Sequence, residues 1–76
     1  MNKTRRNLLS QAYDNLEKLS AIIEEIKDQE EEYRDNIPEN LQGSERYEKA
    51  EAACDNLESA LDALGECLDY IEEAMV

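Results

Sequence analysis

Apolar residues recur along most of the chain at alternating intervals of three and four positions. The stripe of the first half has one charged member, Glu30, and its residues are Leu9, Ala12, Leu16, Leu19, Ile23, Ile26, Glu30, Tyr33 and Ile37. The stripe of the second half has none, and its residues are Tyr47, Ala50, Cys54, Leu57, Leu61, Leu64, Leu68, Ile71 and Met75. This spacing puts each stripe on one side of a helix and repeats every seven residues, as in coiled coils. It predicts helices over residues 4–36 and 44–74.

The segment between the stripes carries the signals for a turn. Residues 37–43 contain the only proline, Pro38, and one of the two glycines, Gly43. Proline disfavours helical geometry at the residue before it, so the first helix is expected to end there. Ser44 is a good N-cap, and Glu45 and Glu48 follow it in the first turn, where the helix dipole favours negative charge. The second helix is therefore predicted to start at Ser44.

The two stripes agree in phase when the chain is folded back on itself. Residues whose numbers sum to 80 then face each other, so that Leu16 lies opposite Leu64 and Tyr33 opposite Tyr47 at the turn. Two unrelated stripes would not keep such a match along their length. The predicted fold is all-α: an antiparallel two-helix coiled-coil hairpin forming a single domain over residues 1–76.

Additional small or apolar residues widen both stripes on one side. A bare hairpin would leave this strip in water, which favours burial against a second hairpin. The sequence thus predicts a homodimer, arranged as a four-helix bundle. Its predicted interface residues are Leu8, Ile22, Ala53, Ala60, Cys67 and Ala74.

The charge of the chain indicates what kind of partner it can bind. The chain has 20 acidic and 8 basic residues and a net charge of −12. Nucleic acids and anionic membranes should be repelled, which excludes direct nucleic-acid binding and favours a basic protein partner. The predicted partner-binding residues, all in the second helix, are Glu51, Asp55, Glu58, Asp62, Glu66, Asp69, Glu72 and Glu73. Ordered carboxylates of this kind can imitate a nucleic-acid duplex, although a solvated surface is the simpler interpretation.

The basic residues near the N-terminus are placed where the dipole of the first helix is already positive. Lys3, Arg5 and Arg6 are therefore unfavourable there on their own. The hairpin would bring them beside Glu72 and Glu73 at the end of the second helix. We prefer this structural interpretation to an arm that binds nucleic acid.

The sequence offers no set of residues for catalysis, for a metal or for a cofactor. It contains no His, so neither a di-iron motif nor a base beside a cysteine nucleophile can form. A glycine-rich phosphate loop is also missing. Cys54 and Cys67 lie about 20 Å apart along one helix and cannot bridge to each other. We interpret them as free thiols, with a disulfide between chains as the alternative, and we predict that the protein is not an enzyme.

The turn and the repeats after it resemble a group of viral proteins. Residues 35–47, DNIPENLQGSERY, followed by Leu/Ala/Asp/Glu heptads, are similar to short acidic helical-hairpin proteins of bacteriophages and prophages. The resemblance implies a phage setting, in which small acidic proteins that obstruct host nucleases or defence complexes are common, and it assigns no activity to the group and no role to individual residues. No export signal or membrane span is evident, so the bacterial host cytoplasm is the expected location.

The sequence is compatible with two functions. In the first, the acidic surface of the second helix binds and inhibits a basic host nucleic-acid-binding or defence protein, in the manner of a DNA mimic. In the second, the chain is a structural or adaptor coiled-coil module that binds through its apolar seam.

Overall fold

A computed structural model of the protein describes all 76 residues and consists of two long helices joined by a short turn. Helix α1 spans Lys3–Asp35, a single 3-10 turn spans Glu39–Leu41, and helix α2 spans Glu45–Met75. The molecule measures 59 × 15 × 13 Å and contains no strand. The predicted all-α hairpin is thus confirmed, and each observed helix limit lies within one residue of the expected one.

Side-chain caps begin both helices. The Asn2 side chain accepts a hydrogen bond from the backbone N–H of Arg5 (2.8 Å), and the Ser44 hydroxyl accepts one from the N–H of Tyr47 (3.3 Å). Each cap satisfies a backbone donor that has no partner within its helix. Ser44 is therefore the N-cap that the sequence predicts, whereas the Asn2 cap was not predicted.

The end of the hairpin near the turn is the most buried part of the molecule. Only Ile37, Ala50 and Cys54 are buried, and all three belong to the predicted stripes near this end. The backbone N–H of Leu41 donates to the carbonyl of Pro38 (2.8 Å), which closes the 3-10 turn. The turn contains no residue with positive φ, so Gly43 is not required there for a left-handed conformation.

The stripe of α2 packs as predicted. All nine of its residues are buried or half-buried against α1, whereas most of the remaining α2 residues are exposed. Helix α2 thus contributes an apolar side chain to the interface between the helices at each turn along its length.

The stripe of α1 is only half correct. Leu9, Leu16, Ile23, Glu30 and Ile37 do face α2, but the alternate positions are exposed: Ala12, Leu19, Ile26 and Tyr33. In their place α1 presents the residues one position further on, which are half-buried: Tyr13, Ser20, Lys27 and Arg34. The prediction was wrong here because the apolar residues of α1 occupy more than two adjacent rows, and one neighbouring helix covers only two.

The contact register shifts with this change. The buried and half-buried positions of α1 and α2 match when their numbers sum to 84, as for Leu16 with Leu68 and Glu30 with Cys54, and the Tyr13–Glu72 hydrogen bond joins numbers that sum to 85. The two helices therefore pair about one helical turn away from the predicted sum of 80. The antiparallel direction of the pairing is unaffected.

Candidate interaction surfaces

The seam divides the hairpin into two sides, and a cross-helix contact marks each of them. On one side the Tyr13 hydroxyl donates to Oε1 of Glu72 (3.1 Å). On the other, Nε of Arg46 donates to the Tyr33 hydroxyl (2.7 Å), and the guanidinium carbon lies 5.7 Å from the ring centroid. The seam consists of the residues through which each helix faces the other. In both helices, the residue that follows a seam residue in the sequence lies on the Tyr13 side, and the residue that precedes one lies on the Tyr33 side.

The Tyr13 side forms what we call the acidic face. It carries 13 of the 20 acidic residues of the chain. They are Asp14, Glu17, Glu24, Asp28, Glu31 and Asp35 of α1 and Glu48, Glu51, Asp55, Glu58, Asp62, Asp69 and Glu72 of α2. All are exposed except Glu31, which is half-buried. Both helices therefore contribute carboxylates to one continuous surface.

The structure redistributes the predicted partner-binding residues. Six of the eight lie on the acidic face, but Glu66 and Glu73 lie on the outer side of α2, away from α1. The six carboxylates of α1 were left out because the sequence interpretation chose the second helix, whose acidic stretch contains no Lys or Arg. A seam centred on the Tyr13 row would have found them, since each follows a seam residue directly.

Two basic side chains lie along the edge of the acidic face. Nζ of Lys27 is 3.2 Å from Oε1 of Glu31, and this hydrogen bond raises the pKa of the Lys27 ammonium. Nε of Arg34 is 3.1 Å from Oδ1 of Asp35, which raises the pKa of the guanidinium. Their side chains are only 21% and 25% exposed, because the aliphatic stems pack along the seam. Both groups therefore stay charged and offset part of the local negative charge.

The N-terminal basic residues do not pair as expected. The three ion pairs of the molecule are Lys27–Glu31, Arg34–Asp35 and Lys49–Glu45, so no ion pair joins Lys3, Arg5 or Arg6 to Glu72 or Glu73. Glu72 instead accepts the hydrogen bond of Tyr13, which raises the pKa of that phenol. The attraction at this end acts through solvent and is screened by salt.

The opposite side forms what we call the apolar face. Its members are Leu8, Ala12, Leu19, Ile22, Ile26 and Tyr33 of α1 and Ala53, Ala60, Ala63, Cys67, Tyr70 and Ala74 of α2. Each of them belongs to a row of residues spaced seven positions apart along its helix, and none of these rows contains an Asp or a Glu. Leu8, Leu19 and Ile22 each expose more than half of their surface, and Tyr70 exposes 72%. The separation of carboxylates from apolar surface is therefore complete, and the only charged residues in these rows are the basic Arg5, Arg46 and Lys49.

All six predicted dimer-interface residues lie on the apolar face. Ala53 is half-buried by α1 and the other five are exposed. Near the C-terminus the face deepens into an open groove, lined by Ala63, Glu66, Cys67, Tyr70, Ile71 and Ala74. The second thiol differs, since Cys54 is only 3% exposed and burial raises its pKa.

The molecule offers no cluster of three or more His, Cys, Asp or Glu side chains placed to hold a metal ion. Neither helix contains a stretch long and apolar enough to cross a membrane. Comparison of the chain with protein-family models, with curated proteins and with solved structures gives no match.

Proposed function

We propose that this protein is a non-enzymatic interaction protein whose acidic face binds a basic nucleic-acid-binding protein and blocks its nucleic-acid site. The observation that carries the proposal is the collection of 13 carboxylates from both helices on one side of a 59 Å rod. Opposite charge on a basic groove would steer the encounter and fix its orientation.

The charge per unit length determines how closely the acidic face resembles a nucleic-acid duplex. Thirteen carboxylates over 59 Å give about one charge per 4.5 Å, against roughly one per 1.7 Å in double-stranded DNA. The rod therefore carries less than half the charge of DNA per unit length. Binding should depend strongly on salt and should need a partner whose groove is basic over much of its length.

The setting that we propose is a bacterial host cell infected by a phage, as the resemblance of the turn segment implies. The apolar face then serves a different purpose from the acidic one. Two hairpins that pack through their apolar faces form a homodimeric four-helix bundle, and both acidic faces stay outward.

A second candidate function follows from the apolar face itself. Exposed apolar surface of this extent marks an interaction site, so the chain can instead be an adaptor that holds another protein through Leu8, Leu19, Ile22 and Tyr70. Salt should then have little effect on binding, and charge changes on the opposite side should have none.

A competition assay tests the first function. Bacterial lysate proteins retained on DNA-cellulose are treated with the hairpin, the proteins released are identified, and each is purified for a DNA-binding assay. We expect half-displacement at micromolar hairpin in 0.1 M salt and none in 0.5 M salt. The triple variant Asp55→Asn, Asp62→Asn, Asp69→Asn should be at least tenfold weaker.

The control variant neutralises three acidic residues that lie off the acidic face. Glu25→Gln, Glu32→Gln and Glu66→Gln change the net charge by the same amount and should leave displacement within twofold. Equal weakening by both variants would show that net charge alone acts. Failure to release any DNA-binding protein would remove the proposal.

A further inference from the structure

We infer that a second copy of this chain covers the apolar face in one particular arrangement: α1 of each copy packs over α2 of the other, and both turns lie at the same end. The inference rests on the proposed homodimer and adds its geometry. It follows from the charge, the area and the side-chain sizes of the apolar face.

Charge favours a second copy as the occupant. The rows of the apolar face hold no Asp or Glu, while the opposite side holds 13. Packing apolar face to apolar face keeps every acidic face in water and brings no two of them together. Packing that buried the acidic face of either chain would instead oppose carboxylates of two chains that each carry −12.

The area is also sufficient. A face of 59 by 15 Å has a footprint of about 900 Å², close to the roughly 800 Å² that each partner contributes to a standard stable interface. The single hairpin buries only three residues, so it has little core of its own. A second copy would bury the exposed Leu, Ile and Tyr side chains that the hairpin leaves in water.

Side-chain size selects the pairing of helices. The α1 half of the apolar face is built mainly of large side chains, among them Leu19, Ile22 and Ile26, and the α2 half mainly of small ones, among them Ala60 and Ala63. Packing large against small fills space evenly, whereas α1 over α1 would crowd one side of the bundle and leave the other loose. The sizes therefore favour α1 over the partner's α2.

Only one two-fold axis gives that pairing. A two-fold axis parallel to the long axis of the rod reverses left and right in the second hairpin. Its α2 then lies over α1 of the first hairpin, and both turns are at the same end. An axis across the rod keeps left over left, so it puts α1 over α1 and the turns at opposite ends. The isologous dimer with the axis along the rod is the one that the sizes require.

The observed register makes the match specific. An axis along the rod keeps every residue at its own height, so the facing residues again have numbers that sum to about 84. Ile22 then faces the space between the partner's Ala60 and Ala63. Ala12, the smallest residue of the α1 half, lies near the partner's Tyr70, the one large apolar residue of the α2 half.

Distance measurement between spin labels tests the arrangement. Gln42→Cys labels the turn, and Ser59→Cys labels the outer side of α2 near mid-length, both in a Cys54→Ala, Cys67→Ala background whose fold is verified by circular dichroism. We expect a distance between the two turn labels within about 30 Å, or three helix diameters. The mid-length label gives a short distance for either axis and serves as the control for dimerisation.

The outcomes separate the arrangement from the dimer itself. A turn-to-turn distance approaching the 59 Å length, together with a short mid-length distance, would overturn the arrangement and keep the dimer. No dipolar signal from either label at about 100 μM protein, roughly a hundred times the Kd of a micromolar dimer, would overturn both. Neither result bears on whether the acidic face displaces DNA.

A matched pair of substitutions gives an independent measurement by sedimentation of the otherwise unmodified chain. Ala60→Leu adds bulk where the partner's Ile22 is placed and should weaken dimerisation at least tenfold. Ala52→Leu adds the same bulk on the outer side of α2 and should leave it unchanged. Equal dimerisation of the two variants would contradict the inference.

Discussion

One seam row of α1 is formed by residues whose neighbours in the sequence are more apolar than they are: Tyr13, Ser20, Lys27 and Arg34. Lys27 and Arg34 fill the seam with their aliphatic stems and direct their charged ends to Glu31 and Asp35 at its edge. Amphipathic side chains can thus line a seam on one side, which frees the purely apolar residues for a second surface. A count of hydrophobic residues does not reveal this use of lysine and arginine.

The two cysteines should differ in reactivity toward iodoacetamide at pH 8. In dilute solution Cys67 should react at least tenfold faster than Cys54, because it is exposed, whereas Cys54 is 3% exposed and its raised pKa lowers the thiolate fraction. Peptide mass spectrometry measures both rates. If a second copy covers the apolar face, the Cys67 rate should fall as protein concentration rises, while equal rates at Cys54 and Cys67 would contradict the fold.

At the scale of elements, the two helices differ in how well their own sequence supports them. Helix α1 has a side-chain cap and no glycine, whereas α2 is capped by Ser44 but carries Gly65 in its interior. A mid-helix glycine costs about 0.8–1 kcal/mol relative to alanine. A Cβ added at Gly65 would meet nothing within 4 Å, so packing does not demand the glycine.

Gly65→Ala should therefore stabilise the protein by about 1 kcal/mol. Urea unfolding followed by circular dichroism at a fixed protein concentration measures the change, since the stability of a dimer depends on concentration. The control is Ala52→Gly, also exposed in α2, which should cost a similar amount. A loss of stability in Gly65→Ala would show that something packs against this position.

At the scale of the whole molecule, charge repulsion opposes the fold. Thirteen carboxylates share one face, while only three ion pairs form, and two of those neutralise acids on that face. The repulsion acts across both helices, because the acidic face includes both. The hairpin thus tolerates electrostatic strain on the side that we propose for binding.

Added salt should accordingly raise the melting temperature. Sodium chloride shortens the Debye length from about 30 Å at 0.01 M to about 3 Å at 1 M, which screens carboxylates on the acidic face from each other. Thermal unfolding at pH 7 across this range measures the effect. The triple variant Asp55→Asn, Asp62→Asn, Asp69→Asn should show a smaller rise, and a melting temperature that falls with salt would contradict the account.

The sequence alone determined that the chain is a helical hairpin. The spacing of apolar residues, the break at Pro38 and the cap at Ser44 are local signals, and local hydrogen bonding and sterics are enough to interpret them. The stripe of α2 was also predictable in full, because the rows beside its seam are acidic on one side and mostly Ala or Cys on the other, which left no alternative set of large apolar residues.

Only the tertiary structure decided which rows of α1 face α2. Its apolar residues span more rows than one helix can cover, so the choice depends on the fit of both helices together, including the stems of Lys27 and Arg34 and the hydrogen bond from Tyr13 to Glu72. That choice turned α1 by one row, gathered the carboxylates of both helices on one side and left the apolar face on the other. The separation of the two surfaces is therefore a property of the packed pair and not of either helix by itself.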